Sequence, residues 1–173
     1  MGINEAIDEI CRIEADDALH EYGGGHGNKG NDFARFWLIN ELLSPLQTNA
    51  KDYLFILEYV QDIVRFDFAE QPTSITLYQL KKKEGSNWDL NSLAGLTQKS
   101  TRMKLDSPLA KLLKAALSFQ KMITNAEFVS NTHYKVELEA GGTAVSMDYV
   151  GLDELTKDRQ SHIGETLAIA PAR

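Results

Sequence analysis

Apolar and polar positions along the chain recur with two periods, and each period predicts one kind of element. Helical spacing occurs in INEAIDEICRIEADDALHEY near the amino terminus, from Asn31 to Leu43, and after Ser107. The third stretch has the strongest entry signal, because a capping serine followed by Pro108 is preorganised to begin a helix. The pattern therefore predicts three helices, of which the first is acidic and amphipathic.

Other stretches have the composition of strands. Asp52 to Phe68, DYLFILEYVQDIVRFDF, is dense in aromatic and β-branched residues, which predicts one or two strands buried on both faces. A turn at Pro72 leads to SITLYQLKKK, a further strand, and a short helix is expected between Trp88 and Leu96. Later come the strands AEFVSN and HYKVELE, a turn at Gly141 and Gly142, and a last helix from Leu152. This order predicts a mixed α/β sandwich.

The run GGGHGNKGN, Gly23 to Asn31, allows two interpretations. A phosphate-binding loop needs a second fixed glycine and a hydroxyl residue after its lysine, and Asn28 and Gly30 occupy those positions. Such a loop also follows a buried strand, whereas this run follows a surface helix. The pattern favours glycines that end one helix and form a hinge into the next.

Composition narrows the classes of protein. The chain has 173 residues, enough for one domain with a real core, and 43% of them are apolar. Its net charge of −7 gives no support to passive electrostatic binding of nucleic acid, so a DNA function would need local basic residues and a bound cation. No apolar run approaches the ~20 residues of a membrane span, and the acidic amino terminus does not resemble a secretory signal. We expect a cytoplasmic protein.

Polar residues interrupt the two strands that look most buried. In the first of these strands, Glu58 and Asp62 are an even number of residues apart and would point to one face if the segment stayed extended. Gln79 and Lys81 share parity in the second. Carboxylate and amide oxygens suit Mg²⁺, and metal-assisted phosphodiester hydrolysis needs such a set beside a lysine. The alternative is structural: Asp62 ends a strand and the lysines guard an exposed edge.

This arrangement resembles the PD-(D/E)XK nuclease superfamily, in the variant where glutamine replaces the second acid. The residues that carry the resemblance are Asp62, Gln79 and Lys81, in QDIVRFDF and LYQLK. The resemblance implies an α/β fold with a restriction-endonuclease-like core, in which helices flank a central mixed sheet.

The wider order of motifs is similar to the nuclease domain of bacterial anti-phage effectors, both those associated with CD-NTases and those paired with HerA-type ATPases. In that family a glycine, a Glu-x-x-x-Asp strand, a Gln-x-Lys strand, a long helix and a Phe-x-Ser-Asn strand end follow one another. Here they are Gly30, Glu58 with Asp62, Gln79 with Lys81, the helix from Ser107, and Phe128, Ser130 and Asn131. One departure is that Ala34 follows Phe33 where relatives often have glutamine; Glu41 is a substitute or faces solvent.

The resemblance assigns roles residue by residue. It implies Asp62 as the main metal ligand, Glu58 and Gln79 as further ligands, Lys81 as the catalytic ammonium, and Lys83 as a DNA contact. The implied cofactor is Mg²⁺, with Mn²⁺ as an alternative.

The resemblance also implies how the chain is organised and what it binds. Residues 1–29 form an amino-terminal helix and glycine-rich hinge, outside a nuclease domain of residues 30–173 that belongs to a longer chain in related effectors. The expected activity is cleavage of double-stranded DNA with little sequence preference. Expected partners are further copies of the chain, a HerA-type ATPase or a nucleotide-sensing domain, and no membrane.

A second hypothesis is that the chain has the same fold but no catalytic activity. The chain would then be a nuclease-like scaffold for self-assembly or for a partner ATPase, with the amphipathic helices at its ends supplying the interfaces.

Overall fold

The structure, a computed structural model, describes residues 2–15, 28–47, 52–97, 102–145 and 149–169. The glycine run of residues 23–27, with His26, lies outside the described residues, as does Lys99. The helices are α1 (Ile3–Glu14), α2 (Asn28–Gln47), α3 (Leu90–Ala94), α4 (Pro108–Ser118) and α5 (Lys157–Ile169), with a 3₁₀ turn at Leu152–Glu154. The strands are β1 (Leu54–Tyr59), β2 (Gln61–Phe66), β3 (Ser74–Lys81), β4 (Trp88–Asp89), β5 (Ile123–Ser130), β6 (Tyr134–Glu137) and β7 (Thr143–Ala144).

Residues 1–82 and 114–129 form one compact unit, and residues 83–113 and 130–173 form another. The first unit contains a four-stranded sheet in the order β1, β2, β3, β5, with β1, β2 and β3 antiparallel. Along the chain, α2, three strands, α4 and β5 follow one another, with α3 as a short insertion. This order confirms the predicted α/β fold with a restriction-endonuclease-like core.

The sheet of the first unit is buried on both faces. Ile63, Tyr78 and Leu80 form a cluster against four residues of α2, namely Phe33, Ala34, Trp37 and Leu38. Alternation along β2 directs Val64 and Phe66 to the opposite face, where neither side chain is exposed. The two-sided burial predicted for residues 52–68 therefore holds for β2 but not for β1, where Leu57 and Glu58 are exposed.

Helix α1 is part of this first unit. The Ile3 N–H donates to Glu70 O at 3.0 Å, just beyond β2, and the Glu14 carboxylate accepts the N–H of Val60 at 2.6 Å, just before it. Ala6, Ile10 and Ile13 are buried. The helix thus runs along β2 and contributes apolar side chains to the core. The predicted boundary at residues 29 and 30 stays a prediction.

The segment from Asp52 to Phe68 is a hairpin of two strands. Leu57 pairs with Ile63, and the chain reverses at Val60. Glu58 and Val60 have positive φ angles of 57° and 61°, in a region that side chains with a Cβ rarely adopt. The segment from Glu58 to Asp62 therefore does not stay extended, which was the condition for the predicted shared face, because β1 ends between them.

The second unit has its own sheet and core. Strand β4 pairs parallel with β6, and β6 pairs antiparallel with β7. Ser107 caps α4, since its Oγ accepts the N–H of Ala110 at 3.2 Å, as the Ser-Pro signal predicted. Gly141 and Gly142 have φ angles of 88° and 84°, which confirms the predicted turn. The core of this unit comprises Ala94, Leu96, Met103, Leu109, Ala110, Val136, Ala144, Leu155 and Ile163.

Helix α2 is longer than the sequence-based expectation of a helix from Asn31 to Leu43, since it begins at Asn28 and continues to Gln47. Cys11 on α1 is exposed. Within the described part of the chain, no helix has the length and apolar character required to cross a membrane.

Candidate functional site

Asp62 and Gln79 meet across two neighbouring strands. Ile63 pairs with Tyr78, so one step along the antiparallel pair sets Asp62 opposite Gln79 and directs both side chains to the same face. Gln79 Nε2 donates to Asp62 Oδ2 at 2.5 Å, and Gln79 is only 1% exposed. The structure thus brings together two of the residues that carry the family resemblance, whose roles stay a prediction.

The Asp62 carboxylate also accepts a backbone bond. The N–H of Leu80 donates to Asp62 Oδ2 at 2.7 Å, beyond the last ladder pair between β2 and β3. A side chain therefore links the two strands where their pairing stops. Sequence reasoning missed this contact, because a backbone donor leaves no mark on residue type.

Lys81 follows directly in β3. Because Asp62 Oδ2 contacts Leu80 N, ordinary backbone dimensions put this oxygen within about 8 Å of Lys81 Cα, inside the reach of a lysine side chain. Lys81 is half-buried and shares the parity of Gln79. Its position is compatible with the predicted role.

Glu58 lies in β1 between Leu57 and Tyr59, whose partners Ile63 and Gln61 flank Asp62 in β2. It is exposed, and its left-handed conformation interrupts the strand alternation on which its prediction rested. Among the described residues there is no group of three or more His, Cys, Asp or Glu side chains that could hold a metal ion. The groups that the structure brings together are one carboxylate and one amide, and the role of Glu58 stays a prediction.

The chemistry of this donor set fits Mg²⁺. The ion prefers oxygen ligands, keeps several waters, and binds through one or two carboxylates together with substrate phosphates. Asp62 supplies a carboxylate, and the Gln79 amide carries an oxygen as well as the NH₂ group that it directs at Asp62. A few protein ligands are therefore sufficient to hold Mg²⁺ when waters and substrate phosphates complete its coordination.

A second polar cluster lies on the α2 face of the same sheet. Arg65 lies two residues after Ile63 in β2 and therefore on the same face of the sheet. Its Nη1 lies 4.0 Å from Glu41 Oε2. Desolvation and the nearby Glu41 carboxylate raise the pKa of Glu127. Glu41 therefore pairs with Arg65 on the face opposite Asp62, and its expected alternatives, a substitute ligand or a solvent-facing residue, were both wrong.

Lys83 belongs to the second unit, together with Ser130 and Asn131 of the Phe-x-Ser-Asn motif. The Asn131 side chain accepts the N–H of Lys83 at 2.8 Å and donates to its carbonyl oxygen at 3.1 Å. Lys83 Nζ donates to Asn87 O at 2.8 Å and lies 4.5 Å from the centre of the Trp88 ring. Ser130 Oγ accepts the Trp88 indole N–H at 2.7 Å. The motif thus fixes the backbone and side chain of Lys83, whose DNA contact stays a prediction.

Comparison with known families agrees with this geometry. The family model described as Cap4, dsDNA endonuclease domain, matches residues 22–169, a span that includes Asp62, Gln79 and Lys81. Searches of curated proteins and of solved structures returned no significant match. The family match confirms the resemblance to the nuclease domain of anti-phage effectors. The chain belongs to the Cap4 dsDNA endonuclease domain family and is a DNA endonuclease domain of anti-phage defence.

Proposed function

We propose that the chain is a Mg²⁺-dependent nuclease of the PD-(D/E)XK type, which hydrolyses phosphodiester bonds in duplex DNA with little sequence preference. The observation that carries the proposal is the contact between Asp62 and Gln79, at 2.5 Å, one residue before Lys81 along β3. Burying an amide and a carboxylate is unfavourable unless each group is hydrogen-bonded or coordinates a metal ion, and a cation site would account for the presence of both groups here.

The three side chains have distinct tasks in this proposal. Asp62 would hold the cation through its carboxylate. Gln79 would contribute its backbone oxygen, or its amide oxygen after the amide turns over from the orientation in which its NH₂ group donates to Asp62. When bound, Mg²⁺ polarises the phosphoryl group and lowers the pKa of a bound water. The ammonium group of Lys81 orients the attacking water or balances the charge that develops on the phosphate.

The proposed lack of sequence preference follows from the kind of contact available. Lys81 and Lys83 offer positive charge to phosphate oxygens, and phosphate contacts position a protein on DNA without reading bases. With a net charge of −7, the protein has little general attraction for DNA. Concentration on DNA would then come from oligomerisation, a nucleotide-sensing domain or a HerA-type ATPase, which we include as part of the proposal.

The test is plasmid cleavage with and without Mg²⁺ by the parent, Asp62→Ala, Lys81→Ala and a control, Lys82→Ala. Lys82 is exposed and follows Lys81, the last residue of β3, so it matches Lys81 in charge and position along the chain without belonging to the strand. We expect Asp62→Ala and Lys81→Ala to lose cleavage by about a hundredfold or more, and Lys82→Ala to retain it. Equal cleavage by all four proteins would refute the assignment, and assembly with an ATPase in the absence of any cleavage would favour the scaffold hypothesis.

A further inference from the structure

The β1–β2 turn holds its shape against the preference of its residues. Val60 has a φ angle of 61° and Glu58 one of 57°, although neither is glycine. The left-handed region is especially unfavourable for a β-branched residue such as valine. Such a conformation persists only where surrounding contacts impose it.

One contact that imposes it comes from α1. The Glu14 carboxylate accepts the backbone N–H of Val60 at 2.6 Å in a partly buried setting. A charged acceptor of a backbone N–H makes one of the stronger hydrogen bonds in proteins. The bond joins residues 46 positions apart, so it ties the last turn of α1 to the hairpin.

The turn leads directly to Asp62. Only Gln61 separates Val60 from the carboxylate that meets Gln79, and β2 is no longer paired with β3 before Ile63. Gln61 is 6% exposed, and among the described residues neither polar atom of its side chain has a hydrogen-bond partner, so that side chain adds no polar anchor there. The place of Asp62 therefore depends on what fixes the turn.

We propose that Glu14 is a positioning residue: by holding the N–H of Val60, its carboxylate fixes the β1–β2 turn and thereby the place of Asp62. Glu14 precedes residues 22–169, the span of the family match, so this device is additional to the matched domain. The inference rests on the proposed role of Asp62 in cleavage.

The test separates this contact from the general docking of α1. Arg12→Ala is the matched control, because Arg12 on the same helix donates to Ser118 O at 2.9 Å and does not contact the hairpin in this way. Glu14→Gln keeps an acceptor oxygen, whereas Glu14→Ala removes it. Val60→Gly removes the Cβ, so the residue can adopt its positive φ angle without the hydrogen bond to Glu14. The two readouts are amide hydrogen exchange at Val60 and plasmid cleavage at subsaturating Mg²⁺.

We expect Glu14→Ala to speed exchange at Val60 and to slow cleavage, each by about tenfold. In Glu14→Gln and in Arg12→Ala, both rates should stay within about threefold of the parent. Adding Val60→Gly to the Glu14→Ala protein should restore most of the cleavage that Glu14→Ala loses. The proposal is overturned if Arg12→Ala matches Glu14→Ala, or if Val60→Gly restores nothing.

The two proposals fail in different ways. If Asp62→Asn cleaves as well as the parent, the proposed function is wrong. If Asp62→Asn is inactive while Glu14→Ala exchanges and cleaves like the parent, only the positioning role is wrong.

Discussion

The carboxylate of Asp62 accepts the backbone N–H of Leu80 at 2.7 Å, so a side chain continues the link between β2 and β3 beyond their last ladder pair. The same oxygen accepts the Gln79 amide. Asp62 therefore has a structural role beside the chemical role that we propose for it, and substitutions must separate the two.

Asp62→Asn separates them. An asparagine keeps one acceptor oxygen for Leu80 but loses the negative charge that holds a cation. We expect its thermal unfolding to stay close to that of the parent, and its cleavage to fall by about a hundredfold or more. Asp62→Ala should lose both stability and cleavage. An Asp62→Asn protein that unfolds like Asp62→Ala would mean that the charge itself holds the strands together.

Lys83 tests the contact with DNA. Lys83→Ala removes a cation held beside Asn87 O and the Trp88 ring. If it contacts a phosphate, KM should rise by about three- to tenfold with kcat little changed, and the salt dependence of binding should lose about one unit of slope. Lys121→Ala, which alters an exposed lysine of the first unit, is the control. An unchanged salt slope would remove Lys83 from the DNA contacts.

Asp67 makes the stability of the fold depend on pH in the acidic range. Its carboxylate accepts the N–H groups of Thr73 at 2.9 Å and Ser74 at 3.0 Å, in the turn between β2 and β3. Partial burial raises the pKa of Asp67, but the hydrogen bonds from Thr73 and Ser74 outweigh this effect, so its pKa lies below the ordinary value.

A lowered pKa fixes the sign of the effect. The ionised carboxylate stabilises the fold above the pKa of an unfolded aspartate, at about pH 4, and this contribution is lost as the pH falls further. Asp67→Ala should cost about 0.5–1 kcal/mol at pH 7, because solvent screens this largely exposed carboxylate, and the difference in unfolding temperature from the parent should shrink below about pH 4. Asp106→Ala, at an exposed site, should show no such trend. A difference that is constant with pH would contradict this account.

Ser107 tests the entry of α4. Ser107→Ala removes the acceptor of the Ala110 N–H, which should cost about 1 kcal/mol and lower the unfolding temperature by about 2–4 °C. Ser118→Ala is the control in the same helix, because the Ser118 hydroxyl only bonds back to Lys114 O. Equal losses for the two variants would show that the cap does not stabilise the helix.

The sequence predicted most of the elements and the central pair of the site. Strand alternation is local, so parity was enough to place Gln79 and Lys81 on one face of β3. The contact of Gln79 with Asp62 also depends on the register between β2 and β3, and only the family resemblance implied that these residues form one site. The turn at Val60 was not predictable in this way, since EYVQD contains no Gly, Pro or Asn to signal it. Its conformation depends on Glu14, a contact across 46 positions. The pairing of Glu41 with Arg65 was also missed, because it depends on which face α2 covers.

The most direct test of the central claim is to locate Mn²⁺ by anomalous scattering in crystals of the protein soaked with the ion. The account predicts one strong peak between the Asp62 carboxylate and the Gln79 amide, and no peak there in Asp62→Asn. A peak elsewhere, or a peak of equal strength in Asp62→Asn, would contradict the proposal that these two strands build the cation site.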